Sequence, residues 1–204
     1  MKKIMCTLAL LANLFLSTSC IAGSTKDIVN ENREVAPFHS IAIESVGSIH
    51  FTQADHYSLR LEGKPELVKQ LTNEVKNGTL CIDTKKDKSL KGNIKLDIYI
   101  TAPDLKQVDF DGVGSFECKN VLKAEDIAFN IDGVGKVEIG NLQCNLLQLD
   151  FDGVGKADIQ VNCRQLKANI DGVGKVTLSG SADQADIRKD GIGVFNTRNL
   201  KVGK

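Results

Sequence analysis

The sequence predicts an all-β fold, a solenoid with coils of about 20 residues and a short helix and a hairpin in its N-terminal half. Three observations carry that expectation. The tetrad Asp-Gly-Val-Gly begins at Asp111, Asp132, Asp152 and Asp171 and returns as Asp-Gly-Ile-Gly at Asp190, with starts 21, 20, 19 and 19 residues apart. A chain with so regular a period winds one turn per repeat. Aligned repeats also place apolar residues in common columns, which read as the core. Two residues after each Asp stand Val113, Val134, Val154, Val173 and Ile192; five after stand Phe116, Val137, Ala157, Val176 and Phe195; seven after stand Cys118, Ile139, Ile159 and Leu178. The last two columns alternate with Glu117, Glu138, Asp158 and Thr177, the period-two pattern of a half-buried strand. Finally, each corner supplies two glycines that take positive φ without a Cβ clash.

The elements follow in order from the start. Met1-Lys2-Lys3, the apolar run from Ile4 to Leu16 and the small residues after it read as a secretory signal over residues 1–22, too short to span a bilayer as a helix. Ser17-Thr18-Ser19-Cys20 resembles a lipobox, with Ser17 where that motif usually has Leu. Lipidation at Cys20 is the preferred reading, and plain cleavage after Ser19 or Ala22 stays open. Residues 23–36 are polar and aperiodic, and read as a flexible tether. Residues 37–204 then form one solenoid domain, with the strict repeats at 111–204.

Within that domain Ile41, Ile43, Val46, Ile49 and Phe51 alternate, and Ser45-Val46-Gly47-Ser48 reads as a degenerate first corner. Tyr57, Leu59 and Leu61 give a further strand. Pro65 opens a short helical segment with Leu67, Val68 and Leu71 on one side. Asn77-Gly78 between two strand-like runs predicts a hairpin. Lys85, Lys86, Lys88 and Lys91 read as a solvated loop, and Ile94, Leu96, Ile98 and Ile100 as the strand leading into the repeats. The residues before each Asp alternate too, as in Ile127, Phe129, Ile131 and Leu147, Leu149, Phe151, so each coil holds at least two strands.

Arg33 to Phe38 and the strand after it, Val75 to Ile82, Thr101-Ala102-Pro103-Asp104-Leu105 with Val108, and the Gly-Val-Gly corners together resemble the bacterial head GIN domain family. The resemblance covers about residues 33–204. It implies a right-handed parallel β-helix on an exported protein, usually from Gram-negative bacteria, with an adhesin label and no catalytic residues to carry over. The strict Asp of four corners departs from the family, which often has a small polar residue there.

Those aspartates are the first candidates for chemistry. Stacked in register, Asp111, Asp132, Asp152, Asp171 and Asp190 form a carboxylate ladder in which neighbours repel by about 1 kcal/mol even at the dielectric of water. Calcium would relieve this, as would a parallel ladder of Lys136, Lys156 and Lys175. The preferred reading is structural, each Asp accepting hydrogen bonds from N–H groups of its own corner. Identical carboxylates in identical corners do not suit a general acid and base, whose pKa values must be pushed apart. Sugar stacking finds little support in a chain with no Trp and two Tyr.

Other signals are weaker. Gly-Val-Gly-Lys lacks the spacing of a phosphate loop, and His39, His50 and His56 lack metalloprotease spacing, although His50 and His56 could bind zinc if a turn joined them. Cys118, Cys144 and Cys163 read as core residues. Cys144 and Cys163 fall on adjacent coils within disulfide reach, but parallel side chains rarely present the right Cβ geometry, so free thiols are expected.

Loss of residues 1–22 leaves 24 basic against 26 acidic side chains, which gives nucleic acid no basic surface. The sequence therefore reads as an exported, non-enzymatic protein of the cell envelope, in the outer membrane, at the cell surface or in the periplasm, binding an unidentified protein or glycan. Membrane contact is expected only through the lipid anchor, and no cofactor beyond calcium comes into question. A periplasmic structural protein without an external ligand and a glycan-active enzyme are the alternatives.

Overall fold

The computed structural model describes residues 28–85 and 95–203. The stretch expected to be a secretory signal, Cys20, Lys86, Lys88, Lys91 and Ile94 lie outside the described residues. The chain is a β-solenoid of about five turns. Its long coils are β11 (Val134–Phe151), β12 (Val154–Ile170) and β13 (Val173–Lys189), stacked parallel. Shorter strands build the coils before and after them: β8 (Gln107–Phe110) with β9 (Val113–Lys123), β10 (Asp126–Ile131) leading into β11, and β14 (Ile192–Asn196) with β15 (Leu200–Val202). The pairing runs almost unbroken along each long coil, in two runs between β12 and β13 and in three between β11 and β12. In β11 these are Val134–Ile139, Leu142–Cys144 and Leu146–Phe151, with a register shift between Ile139 and Leu142.

Glycine decides how the corners stack. The second glycine of most corners has positive φ, +150° at Gly155 and +151° at Gly174, a region costly for residues with a Cβ. The first glycine does not, and it is required for a different reason. A Cβ on Gly133 would overlap the carbonyl oxygen of Gly112, and one on Gly153 that of Gly133. Both columns must lack side chains for one coil to sit on the next at strand spacing, about 4.8 Å. Backbone bonds then cross between coils: the N–H groups of Asp152 and Gly153 both donate to Ile131 O, and that of Val154 donates to Gly133 O.

Inside the coils, Phe116, Val137, Ala157 and Val176 stack in one column and Cys118, Ile139, Ile159 and Leu178 in another, all buried. Ile127, Phe129 and Ile131 close the core from the opposite side with Leu147, Leu149, Phe151 and their successors. Rings pack between the columns, with Phe116 and Phe129 edge to face at 6.0 Å. Phe195 is only partly covered, because the last coil has no neighbour above it among the described residues. One expected core column is not core: Val113, Val134, Val154 and Val173 are 47–51% exposed and Ile192 75%. Counting back from buried Val137, strict alternation puts Lys136 out, Gly135 in and Val134 out.

The N-terminal half caps the stack. β2 (Ser40–Glu44) and β3 (Val46–Gln53) form the first coil, with Gly47 in register with Gly114, so the degenerate corner is a true rung. β7 (Leu96–Ala102) adds to β3, and β4 (Ser58–Gly63) adds antiparallel to β7. The short helix α1 (Pro65–Val68) buries Leu67 and Val68, whereas Leu71, expected on its face, begins β5 (Leu71–Lys76). β5 and β6 (Thr79–Thr84) form the expected hairpin, with φ of 51° and 77° at Asn77 and Gly78. Residues 29–33 are not a tether. They form β1 (Val29–Arg33), antiparallel to β4. Arg33 anchors it, donating to the carbonyls of Leu71 and Val68 and to Asn73 Oδ1 at 2.9–3.0 Å.

Two substitutions side by side test this account of the corner. Gly155→Ala should cost at least about 2 kcal/mol in urea unfolding, from backbone strain and coil overlap. Val154→Thr should stay within about 0.5 kcal/mol of wild type, since the side chain is a strand-compatible surface group. Equal losses at both positions would return the valine column to the core.

Candidate functional site

Because the corners stack in register, every outward position becomes a row running along the solenoid. The five corner aspartates are all exposed. Next comes the row Val113–Val134–Val154–Val173–Ile192, then Ser115–Lys136–Lys156–Lys175–Val194, then Glu117–Glu138–Asp158–Thr177–Asn196. The repeat thus presents anionic, apolar, cationic and anionic rows in succession. At strand spacing the apolar row is about 19 Å long.

The charges pair within a coil rather than across the apolar row. Lys136 contacts Glu138, and Lys156 Nζ lies 3.6 Å from Asp158 Oδ2. The Lys136 contact raises that ammonium above its ordinary range and holds the Glu138 carboxyl below its own. Among the described residues, no ion pair joins Lys136, Lys156 or Lys175 to a corner aspartate, so the lysines do not relieve the carboxylate ladder. Nor do the aspartates work as expected: none of the five carboxylates accepts a hydrogen bond from a corner N–H among the described residues. Those N–H groups are already committed to the coil below. Among the described residues no group of three or more His, Cys, Asp or Glu side chains converges as a metal site, the aspartate ladder included.

A second outward face carries a polar row. Asp109, Asn130, Asp150, Asn169 and Arg188 stand in register, and Asn130 donates to Asp109 at 2.6 Å. Gln107 donates to both oxygens of the same carboxylate, at 2.8 and 2.9 Å. Amide and carboxylate thus satisfy one another at the Asp109 end of this row.

Sequence reasoning missed one cluster altogether. Arg60, Tyr99, His50 and Glu117 lie side by side on four neighbouring strands. His50 Nε2 is 2.9 Å from Asp97 Oδ1 and its Nδ1 3.7 Å from Glu117 Oε2. Its ring stacks on Tyr99 at 4.8 Å, while the Arg60 guanidinium sits 3.7 Å over the same tyrosine. Both faces of Tyr99 are therefore occupied, and neither is free to stack on a sugar. His56 contacts Asp55 instead of His50, so the zinc pair is not assembled. No short-range pattern links 50, 60, 97, 99 and 117; only the strand order brings them together.

No helix among the described residues is long and apolar enough to cross a membrane. The fold is shared with a solved structure. The chain resembles a putative adhesin from Bacteroides fragilis at 23% identity and a TM-score of 0.71, over 84% of this chain and 97% of that one. It also resembles a putative adhesin from Parabacteroides merdae, at 14% identity and a TM-score of 0.49, over 85% and 97%. A putative lipid binding protein from Parabacteroides distasonis matches at 18% identity and a TM-score of 0.48, over 88% and 98%. No curated protein matches the sequence. Residues 37–204 match the family described as "Putative auto-transporter adhesin, head GIN domain", and over that span, the whole of the solenoid repeat and most of its cap, the chain belongs to that family.

Proposed function

We propose that this protein is an exported, non-enzymatic component of the bacterial cell envelope that binds another macromolecule, protein or glycan, along the face formed by its corner rows. Residues 1–19 serve as its secretory leader, and Cys20, the first residue left after cleavage, as a lipid attachment point. The observation that carries the reading is the exposed Val113–Val134–Val154–Val173–Ile192 row between charged rows. Stacking requires the glycines and the inward residues, whereas the outward position needs only strand compatibility, which threonine would satisfy. A continuous apolar line bordered by charge on both sides suits an extended partner, which would cover the valines and meet the charges at the rim. The family's adhesin description supports the same reading.

The corner carboxylates then belong to the contact surface rather than to the fold. Replacing Asp132, Asp152 and Asp171 together by Asn should leave melting unchanged or slightly higher, most visibly at low salt where repulsion is least screened. Added calcium or a chelator should make no difference. Loss of stability in this variant would restore the aspartates to a structural role, and calcium-dependent melting would make them a metal site.

Protease shaving of intact and lysed cells, with an antibody to this protein and a periplasmic control, tests the exported reading. Digestion on intact cells is the expected result for an outward-facing adhesin. Protection until lysis would move the protein to the periplasm and its partners with it. On a panel of host proteins and glycans, Val134→Lys with Val154→Lys should abolish binding while melting stays near wild type. Turnover of any polysaccharide in that panel would overturn the non-enzymatic assignment.

A further inference from the structure

Cys144 and Cys163 stand directly opposite each other on β11 and β12, one coil apart. Both are free, part-exposed and packed against the rim of the core. In-register strands hold their Cα atoms roughly 4.8 Å apart, inside the range of about 4.4–6.8 Å that a disulfide spans. The other two described cysteines have no such neighbour. Cys81 stands between Ala42 and Glu74, and buried Cys118 pairs with Ile139. Burial also pushes the Cys118 thiol up to about 11, which keeps it protonated and inert.

We propose that Cys144 and Cys163 are a redox modification site, a thiol pair that closes into a reversible cross-coil disulfide on meeting an oxidising disulfide. The two sulfurs already govern each other's ionisation. Their contact, with burial and nearby Asp126, holds the Cys144 thiol well above its ordinary range, while the same contact lowers that of Cys163. With Cys163 written as the attacking thiolate, the exchange runs in two steps. Cys163 displaces one thiolate from a low-molecular-weight disulfide and becomes the mixed disulfide. Cys144 then gives up its proton to solvent and attacks the Cys163 sulfur, expelling the second thiolate. Two electrons pass from the cysteine pair to the donor disulfide, and its two thiolates take up the two protons.

Geometry also sets how durable the bond is. Stacked parallel side chains keep their Cβ atoms near the strand spacing, beyond the mean of about 3.8 Å in disulfides. Closing the bond must draw two coils together locally, and a strained disulfide is the more easily reduced. The pair is thus a staple that opens in a reducing medium. This inference stands independently of the proposed binding function.

The test uses the full chain, reduced and then equilibrated with oxidised glutathione. Peptide mapping should find Cys144 and Cys163 joined, with the mass of two hydrogens lost and Cys81 and Cys118 still open to alkylation after unfolding. Oxidation should raise Tm by about 5 °C or more, reversed by dithiothreitol and absent from Cys144→Ser and Cys163→Ser, both part-exposed sites expected to fold. Persistent glutathione adducts on both cysteines, or no 144–163 link at equilibrium, would overturn the proposal. A cross-link formed instead by Cys81 or Cys118 would do the same.

Discussion

Everything in this molecule depends on how closely one corner can sit on the next. The carbonyl oxygen of each corner glycine occupies the space where the following coil's glycine would otherwise carry a Cβ. This contact fixes the register, since sliding by one residue would bring a side chain into that gap. Fixed register in turn aligns Phe116, Val137, Ala157 and Val176 inside and Lys136, Lys156 and Lys175 outside. The core and the surface rows are thus two results of a single backbone requirement. A lone coil could bury neither face, so the stack gains its stability cooperatively.

Much of this was legible in the sequence, because a repeat writes its contacts at fixed spacing. The buried columns at Val137 and Ile139 followed from alternation, and the Asn77-Gly78 turn from its own φ requirements. The valine column was misread through residue type. Val134 is apolar, but its parity relative to Val137 points it outward, and the glycine between them hides the alternation. β1 was invisible for the opposite reason. Val29–Arg33 is nearly all polar, and it is a strand because β4 offers an open edge and Arg33 reaches three acceptors in the segment from Val68 to Asn73. The aspartate corner was misjudged because an Asx-turn needs free N–H groups, and inter-coil pairing had already taken them.

The charge pattern shows how a regular surface avoids self-repulsion. Lys136 and Lys156 turn to acidic residues two positions along their own strands, leaving the corner carboxylates unneutralised at the edge of the apolar row. On the polar face, Asp109 is saturated by Asn130 and Gln107. The corner carboxylates have no such partners among the described residues, which leaves their charge at the edge of the apolar row open to a partner.

The uniform pairing of β11, β12 and β13 has an evolutionary corollary. A segment such as 152–170 begins and ends at equivalent points of the winding, and its neighbours on either side present nearly the same surface. Tandem duplication of that segment would lengthen the rod by one rung, about 4.8 Å, without reshaping the cap or the last coil. In such a scaffold the reach of the protein is a heritable length, adjustable in whole rungs by duplication within its own gene.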